Sequence, residues 1–104
     1  MREFKCLTEA TELYKMAKQV KLKAFMKDQL LRASSSVALN LAEGNARRTQ
    51  KDRLRMFNIA LASLREVQMI CELEDLDHLA WKANQVGGMI YALNRSVTET
   101  VCWN

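Results

Sequence analysis

The chain has 104 residues and a mass of 12.0 kDa, the size of a single domain spanning residues 1–104. Hydrophobic residues make up 49% of it, proline is absent and three residues are glycine, so the composition excludes a disordered chain and favours an all-α fold. The net charge of +4 is uneven, because residues 1–60 carry a net +7 and residues 61–104 a net −3. Such asymmetry is typical either of a basic face that meets a polyanion or of an ordinary solvated surface.

The first two predicted helices cover residues 3–20 and 24–43. In the first, apolar residues recur at steps of three and four, the period of a helix that lies on a core. The second is poor in bulky side chains, so a neighbouring helix is expected to approach it closely. Gly44 is expected to take the left-handed conformation that ends this helix.

The third and fourth predicted helices cover residues 50–72 and 78–97 or beyond. Thr49 is predicted as the N-cap of the third, with Asp52 completing a capping box. Asp75 or Asp77 is predicted to cap the fourth helix. Gly87 and Gly88 interrupt the fourth helix at a cost of about 2 kcal/mol relative to alanine, so another backbone is expected to cross there.

Four amphipathic segments with short connections predict an antiparallel up-down-up-down four-helix bundle. The third segment carries an apolar arc wider than one partner helix requires, and Trp103 adds an apolar residue near the end of the chain. Burial of these residues against other copies of the chain is the first interpretation. A monomer with an unusually apolar surface is the alternative.

No enzyme is predicted. His78 stands among acidic residues in a cap region, and the serines of 34–36 lack a nucleophile elbow and a matched base. The acidic run 72–77 lacks calcium-loop spacing, and Cys6, Cys71 and Cys102 lie too far apart for a zinc site or a disulfide framework. Neither a metal, a cofactor nor a small-molecule substrate is expected.

The cysteines also bear on location, because dispersed free thiols predict a reducing cytoplasm. Residues 1–12 lack the apolar stretch of a signal peptide. The longest uncharged run, 83–94, is too short to cross a bilayer. A cytoplasmic protein without membrane contact is therefore the expectation.

A basic run after the second helix is the strongest candidate for function. Exposed amides at a helix start and clustered cations suit phosphate groups, so this run is predicted to bind nucleic acid with low sequence specificity. Aromatic residues do not interleave with it, so base stacking is not expected. In the predicted bundle, the two basic connections lie at opposite ends. The candidate residues are Arg47, Arg48, Lys51, Arg53 and Arg55, with Lys21 and Lys23 around the first connection.

Glu43 falls where the second helix is predicted to end, an unfavourable place for a carboxylate. A polar clasp with Asn40, Gly44 and a cation would offset that cost, and Arg65 is the predicted cross-helix partner. Arg32, Arg47 and Arg48 are alternative partners for the carboxylate. The clasp is interpreted as structural, and direct contact of Glu43 with a ligand is the alternative.

Two stretches, LLRASSSVALNLAEGNARR (30–48) and FNIALASLREVQMICEL (57–73), resemble a family of small bacterial four-helix-bundle proteins. That family was first noticed in intervening sequences of large-subunit ribosomal RNA genes. Its Ser-x-x-x-Asn-x-Ala-Glu-Gly core falls on Ser36, Asn40, Ala42, Glu43 and Gly44. A later Ala-Leu-Gly-Ser-Leu-x-Glu pattern falls on residues 60–66, where Ala62 stands in place of the family's usual glycine.

The resemblance implies a left-handed bundle that assembles as a homopentameric ring or barrel. A related branch is the accessory variability protein of diversity-generating retroelements, which binds nucleic acid and a partner reverse transcriptase. The resulting hypothesis is a non-enzymatic, oligomeric accessory protein that binds RNA or DNA. The alternative is a protein-interaction scaffold with no nucleic-acid role.

Overall fold

Four α-helices follow one another with connections of three or four residues: α1 (Arg2–Gln19), α2 (Ala24–Ala46), α3 (Gln50–Leu73) and α4 (Asp77–Trp103). The computed structural model describes the backbone of residues 2–103 and the side chains of residues 4–99. Within that range there is no strand, which confirms the all-α prediction. The interpretation of Trp103 as a buried contact concerns a side chain outside the described ones.

The core is one cluster to which all four helices contribute, and its residues recur at steps of three and four along each helix. Leu54 and Leu61, predicted on the core face of α3, are only partly buried. Each helix packs on two others, in the cyclic order α1, α2, α3, α4. The molecule measures 47 × 20 × 19 Å. Its fully buried residues include Leu13 of α1, Leu30 and Leu41 of α2, Phe57 and Leu64 of α3, and Val86 and Ile90 of α4.

Side-chain contacts between neighbouring helices give their register. Between α2 and α3, the Ser36 and Ser63 hydroxyls lie 2.8 Å apart, and Gly44 faces the ring of Phe57. Residue numbers therefore rise along α2 as they fall along α3, and the paired side chains Gln68–Asn84 and Asn58–Asn94 give the same relation for α3 and α4. This register brings together the end of α2, the beginning of α3 and residues 91–99.

Gly44 does not end its helix, contrary to the prediction. No glycine among the described residues has a positive φ, and α2 continues to Ala46, where the backbone N–H of Arg47 donates to Gly44 O at 3.2 Å. The glycine is needed for space instead, because a Cβ there would lie 2.4 Å from Cε1 of the Phe57 ring. Gly44 therefore has a structural role, but that role is to allow close helix packing rather than a left-handed backbone conformation.

The connection between α3 and α4 also differs from the prediction, since neither aspartate is the N-cap of α4. Asp75 has φ 55°, a left-handed conformation that aspartate tolerates, and the N–H of Leu76 donates to Cys71 O at 2.9 Å. This is the 6→1 hydrogen bond of a Schellman motif, so Asp75 closes α3. Leu76 takes the N-cap position, and Asp77 lies in the first turn, where its charge suits the helix dipole.

The two glycines of α4 have different environments. A Cβ on Gly87 would lie 3.0 Å from Cδ1 of Leu64, whereas a Cβ on Gly88 would meet nothing within 4 Å. The close neighbours of Gly87 are side chains of α3, so the predicted backbone crossing is absent at this point. Gly88 is exposed, and no contact in the described part of the chain requires a glycine there.

Candidate nucleic-acid interface

The sharp reversal between α2 and α3 places the basic run at one end of the molecule. Thr49 is the N-cap of α3, as predicted, and its hydroxyl accepts a hydrogen bond from the backbone N–H of Asp52 at 3.1 Å. This cap fixes where α3 begins, and therefore which side chains of the run lie on its outer side.

Two of the five predicted cations are engaged with the fold. Arg47 donates from Nη2 to Oε1 of Glu43 at 2.7 Å, one turn earlier on α2. The guanidinium carbon of Arg53 lies 5.7 Å from the centroid of the buried Phe57 ring, within range of a cation–π contact. Both arginines are half-buried, so they hold the α2–α3 corner together.

The other three, Arg48, Lys51 and Arg55, are exposed and make no ion pair with any residue that the structure describes. Lys51 and Arg55 are one turn apart on the same side of α3. Their side chains are therefore free to reach a phosphate without first breaking an internal contact. We call Arg48, Lys51 and Arg55 the basic corner.

Lys21 and Lys23 are far from the basic corner, as predicted. They precede α2, whose 23 residues put roughly 35 Å between its two ends. They share their end of the molecule with the beginning of α4 and with four acids, Glu72, Glu74, Asp75 and Asp77. The two basic connections therefore do not form one surface.

Lys27, next to that connection, is occupied by the fold. Its ammonium donates to the backbone oxygens of Ala17 at 3.3 Å and Lys18 at 2.8 Å, and also to that of Val20. Ala17 and Lys18 are in the last turn of α1, whose carbonyls lack donors within the helix, and Val20 follows it. Ala17 O also accepts from the backbone N–H of Val20 at 3.2 Å. Lys27 thus caps the C-terminus of α1, and its positive charge interacts favourably with the negative end of the helix dipole.

The predicted clasp around Glu43 resolves into three separate contacts. Glu43 pairs with Arg47, Asn40 donates to the backbone oxygen of Ser36 at 2.8 Å, and Gly44 packs on Phe57. Arg65 takes no part, because its guanidinium donates to Oε1 of Gln68 on its own helix at 3.0 Å. Pairing within α2 needs no reach across to α3, which explains why Arg47 rather than Arg65 neutralises the carboxylate.

A recess between α3 and α4 adjoins the basic corner and could not be identified from the sequence. Its lining includes Asn58, Leu61, Tyr91, Asn94 and Arg95. Asn94 is buried beside the apolar stripe of α4. A polar residue next to that stripe was the one feature of the sequence that could have pointed to the recess. Tyr91 lines the recess only because α3 and α4 pack in the observed register, which puts it level with Leu61.

Residues with catalytic chemistry are scattered. Cys6 and Cys71 are buried, and desolvation raises the pKa of each thiol to about 11, so both stay protonated at neutral pH. The described part of the chain has no group of three or more His, Cys, Asp or Glu residues placed to hold a metal ion. None of the described helices is long and apolar enough to cross a membrane.

Comparisons with known proteins fit this architecture. A model of the 23S rRNA-intervening sequence protein family matches residues 4–92. No curated protein matches the chain.

The fold is similar to that of a protein of unknown function from the S23 ribosomal protein family of Bacteroides thetaiotaomicron VPI-5482, with a TM-score of 0.79. The two sequences are 17% identical, and the match covers 91% of this chain and 99% of that one, so this likeness shows the fold. The family match, which spans most of the sequence, confirms the resemblance seen in residues 30–48 and 57–73. The chain belongs to the 23S rRNA-intervening sequence protein family.

Proposed function

We propose that the protein is a non-enzymatic, homo-oligomeric accessory protein that binds RNA or DNA through phosphate groups, with low sequence specificity. The observation that carries the proposal is the basic corner at the start of α3, where three exposed cations form no ion pair with the residues that the structure describes. Backbone amides and the positive dipole end of α3 add to the attraction for phosphate. The link of the family to 23S ribosomal RNA, stated in its name, favours RNA.

The oligomer is proposed from the outer faces of α2 and α3. Exposed residues recur along α3 at steps of three and four, and most are apolar: Ile59, Ala62, Glu66, Met69 and Leu73. On α2, Leu39 lies one turn beyond the Ser36–Ser63 contact and is 68% exposed. An apolar face of this kind on a small protein is typical of a surface that is covered by a partner.

The opposed registers of α2, α3 and α4 support an up-down-up-down order of the helices in each copy. The family resemblance implies five copies in a ring. Light scattering measures the mass in solution directly. A monomer at micromolar concentration would contradict the oligomer and leave the basic corner to be judged on its own.

Nucleic-acid binding is tested by fluorescence anisotropy with labelled single-stranded and duplex RNA over a series of salt concentrations. Affinity should fall steeply as salt rises, because each neutralised phosphate releases counterions. Similar affinities for unrelated sequences are expected. Absence of binding to every RNA and DNA probe at low salt would overturn the proposal.

A second candidate is a protein-interaction scaffold, favoured by the same apolar face of α2 and α3. In that case the face would bind a different protein, and a reverse transcriptase is the partner that the family resemblance implies. Co-purification of a defined partner after nuclease treatment, together with a monomeric state of the isolated chain, would favour the scaffold. If variants of the basic corner still bind the partner, partner binding does not depend on the surface proposed for nucleic acid.

A further inference from the structure

The recess between α3 and α4 has the chemical character of a small binding site. Its volume is about 300 Å³, at the lower end of the range for ligand sites. Asn58 and Leu61 come from α3, and Tyr91, Asn94, Arg95, Thr98 and Glu99 come from α4. Tyr91 is 56% exposed, so an aromatic ring is available to a ligand.

A buried amide without a full set of partners lines this recess. Asn94 is only 7% exposed, and its Nδ2 donates to Oδ1 of Asn58 at 2.7 Å. Its own Oδ1 is buried and accepts no hydrogen bond from any residue that the structure describes. Turning both amides over would leave Nδ2 of Asn94 unpaired instead, so one polar atom lacks a partner in either orientation. That atom is enclosed by the protein, so the role of Asn94 is to hold the exposed amide of Asn58 on the wall of the recess.

Two residues of the basic corner lie on the same side of α3 as the recess. Arg55 precedes Asn58 by three residues and Lys51 precedes Arg55 by four, so the three side chains lie on one side of α3. Arg95 and Glu99 form an ion pair of 3.2 Å at the rim, with side chains 71% and 64% exposed. An exposed pair of this kind is weak, so Arg95 can exchange Glu99 for a phosphate.

We propose that this recess holds one unstacked base of a single-stranded nucleic acid whose backbone lies along Lys51 and Arg55. Tyr91 stacks on the base, and the exposed amide of Asn58, held by its bond to Asn94, hydrogen-bonds to the edge of the base. Amide side chains suit this task, because the Watson–Crick edge of every base presents donors and acceptors side by side. The inference rests on the proposed function and deepens it, because phosphate contacts alone give no reason to prefer a strand that carries bases.

The test compares a thymidine oligonucleotide with an abasic strand of the same length, so that the number of phosphates is equal. Affinities are measured by anisotropy at several salt concentrations for the wild-type protein and for Tyr91→Ala and Tyr91→Phe. The wild type should bind the strand with bases about fivefold or more tightly than the abasic strand, which is the contribution expected of one stacked base. Tyr91→Ala should lose this preference with no change in salt dependence, and Tyr91→Phe should keep it.

Trp81→Ala is the matched control, since Trp81 is an exposed aromatic of the same helix, ten residues and roughly 15 Å before Tyr91. It should bind both strands as the wild type does, and circular dichroism checks that all variants are folded. Equal binding of the two strands by the wild type, or an unchanged preference in Tyr91→Ala, would overturn the base site while the proposed function stands. Failure of both strands to bind would overturn both.

Discussion

The two ends of α2 carry the same kind of residue and use it differently. In the first turn of α2, Lys27 is held by backbone carbonyls at the end of α1 and just after it. After α2, Arg48, Lys51 and Arg55 stay exposed, while Arg47 and Arg53 hold the turn in place. The comparison shows that not every cation of a basic run in the sequence is available for binding. Cations that bond to other parts of the same chain must be set aside first.

The surroundings of the two ends differ as well. Lys21 and Lys23 share their end with Glu72, Glu74, Asp75 and Asp77, whose carboxylates would repel a polyanion. At the other end, the described acids close to the basic corner are Glu43, paired with Arg47, Glu99, paired with Arg95, and Asp52. We therefore expect phosphate to favour the end after α2, and the following experiments test that expectation.

The largest effect is expected for alanine at all three residues of the basic corner. Arg48→Ala, Lys51→Ala and Arg55→Ala together should weaken RNA binding more than about tenfold and lower the slope of log affinity against log salt by roughly 2 to 3. The matched control is Lys21→Ala with Lys23→Ala, which removes two exposed lysines from the other end. Equal losses in the two variants would show that the ends do not differ.

Lys27→Met should be the most damaging single change for stability among these lysines and arginines. It leaves the α1 carbonyls without their charged donor, so the free energy of unfolding should fall by about 2 kcal/mol. Urea denaturation followed by circular dichroism measures this loss, and Lys21→Met serves as the control. RNA affinity of the folded protein should be unchanged, and a loss of affinity would assign Lys27 to binding instead.

Gly44→Ala probes the packing that holds the basic corner in place. Overpacking against Phe57 costs ~1–3 kcal/mol and the gain in helix propensity is ~1 kcal/mol, so a net loss of about 1 kcal/mol is expected. Gly88→Ala should instead stabilise the protein by up to about 1 kcal/mol, because nothing lies near its Cβ position. The melting temperatures of the two variants test these opposite expectations. A higher melting temperature for Gly44→Ala than for the wild type would contradict the packing argument.

Glu43→Gln should have the smallest effect. The Glu43–Arg47 pair is exposed and spans one helical turn, so its loss should cost about 0.5 kcal/mol or less. RNA affinity should hold or rise slightly, since Arg47 is released. A marked loss of binding would instead give Glu43 the ligand role that was considered as the alternative.

Local patterns predicted the helices well, because each element carries its own periodicity. The Thr49 cap and the starts of α2 and α3 followed directly from the sequence. The reasons behind single residues were harder to predict. Gly44 and Asp75 owe their roles to a neighbouring ring and to a helix end, and neither contact is visible in a linear pattern.

The candidate site could be predicted only in part, for the same physical reason. The basic run is continuous in sequence, but which of its members is free depends on Glu43 and Phe57 being nearby. The recess joins residues of α3 and α4 that are 36 positions apart at Asn58 and Asn94. Tyr91 therefore lines a recess that begins one helical turn from Arg55, although no aromatic residue lies within the basic run of the sequence.

The basic corner lies at one end of a molecule 47 Å long. Positive charge at one end gives the elongated molecule an electric dipole along its length. This dipole would orient the basic corner towards a polyanion before contact. In a closed ring, rotational symmetry gives every copy the same inclination to the ring axis. Copies standing upright in such a ring would place every basic corner on one rim, and an RNA strand would meet a continuous circle of cations on a single side.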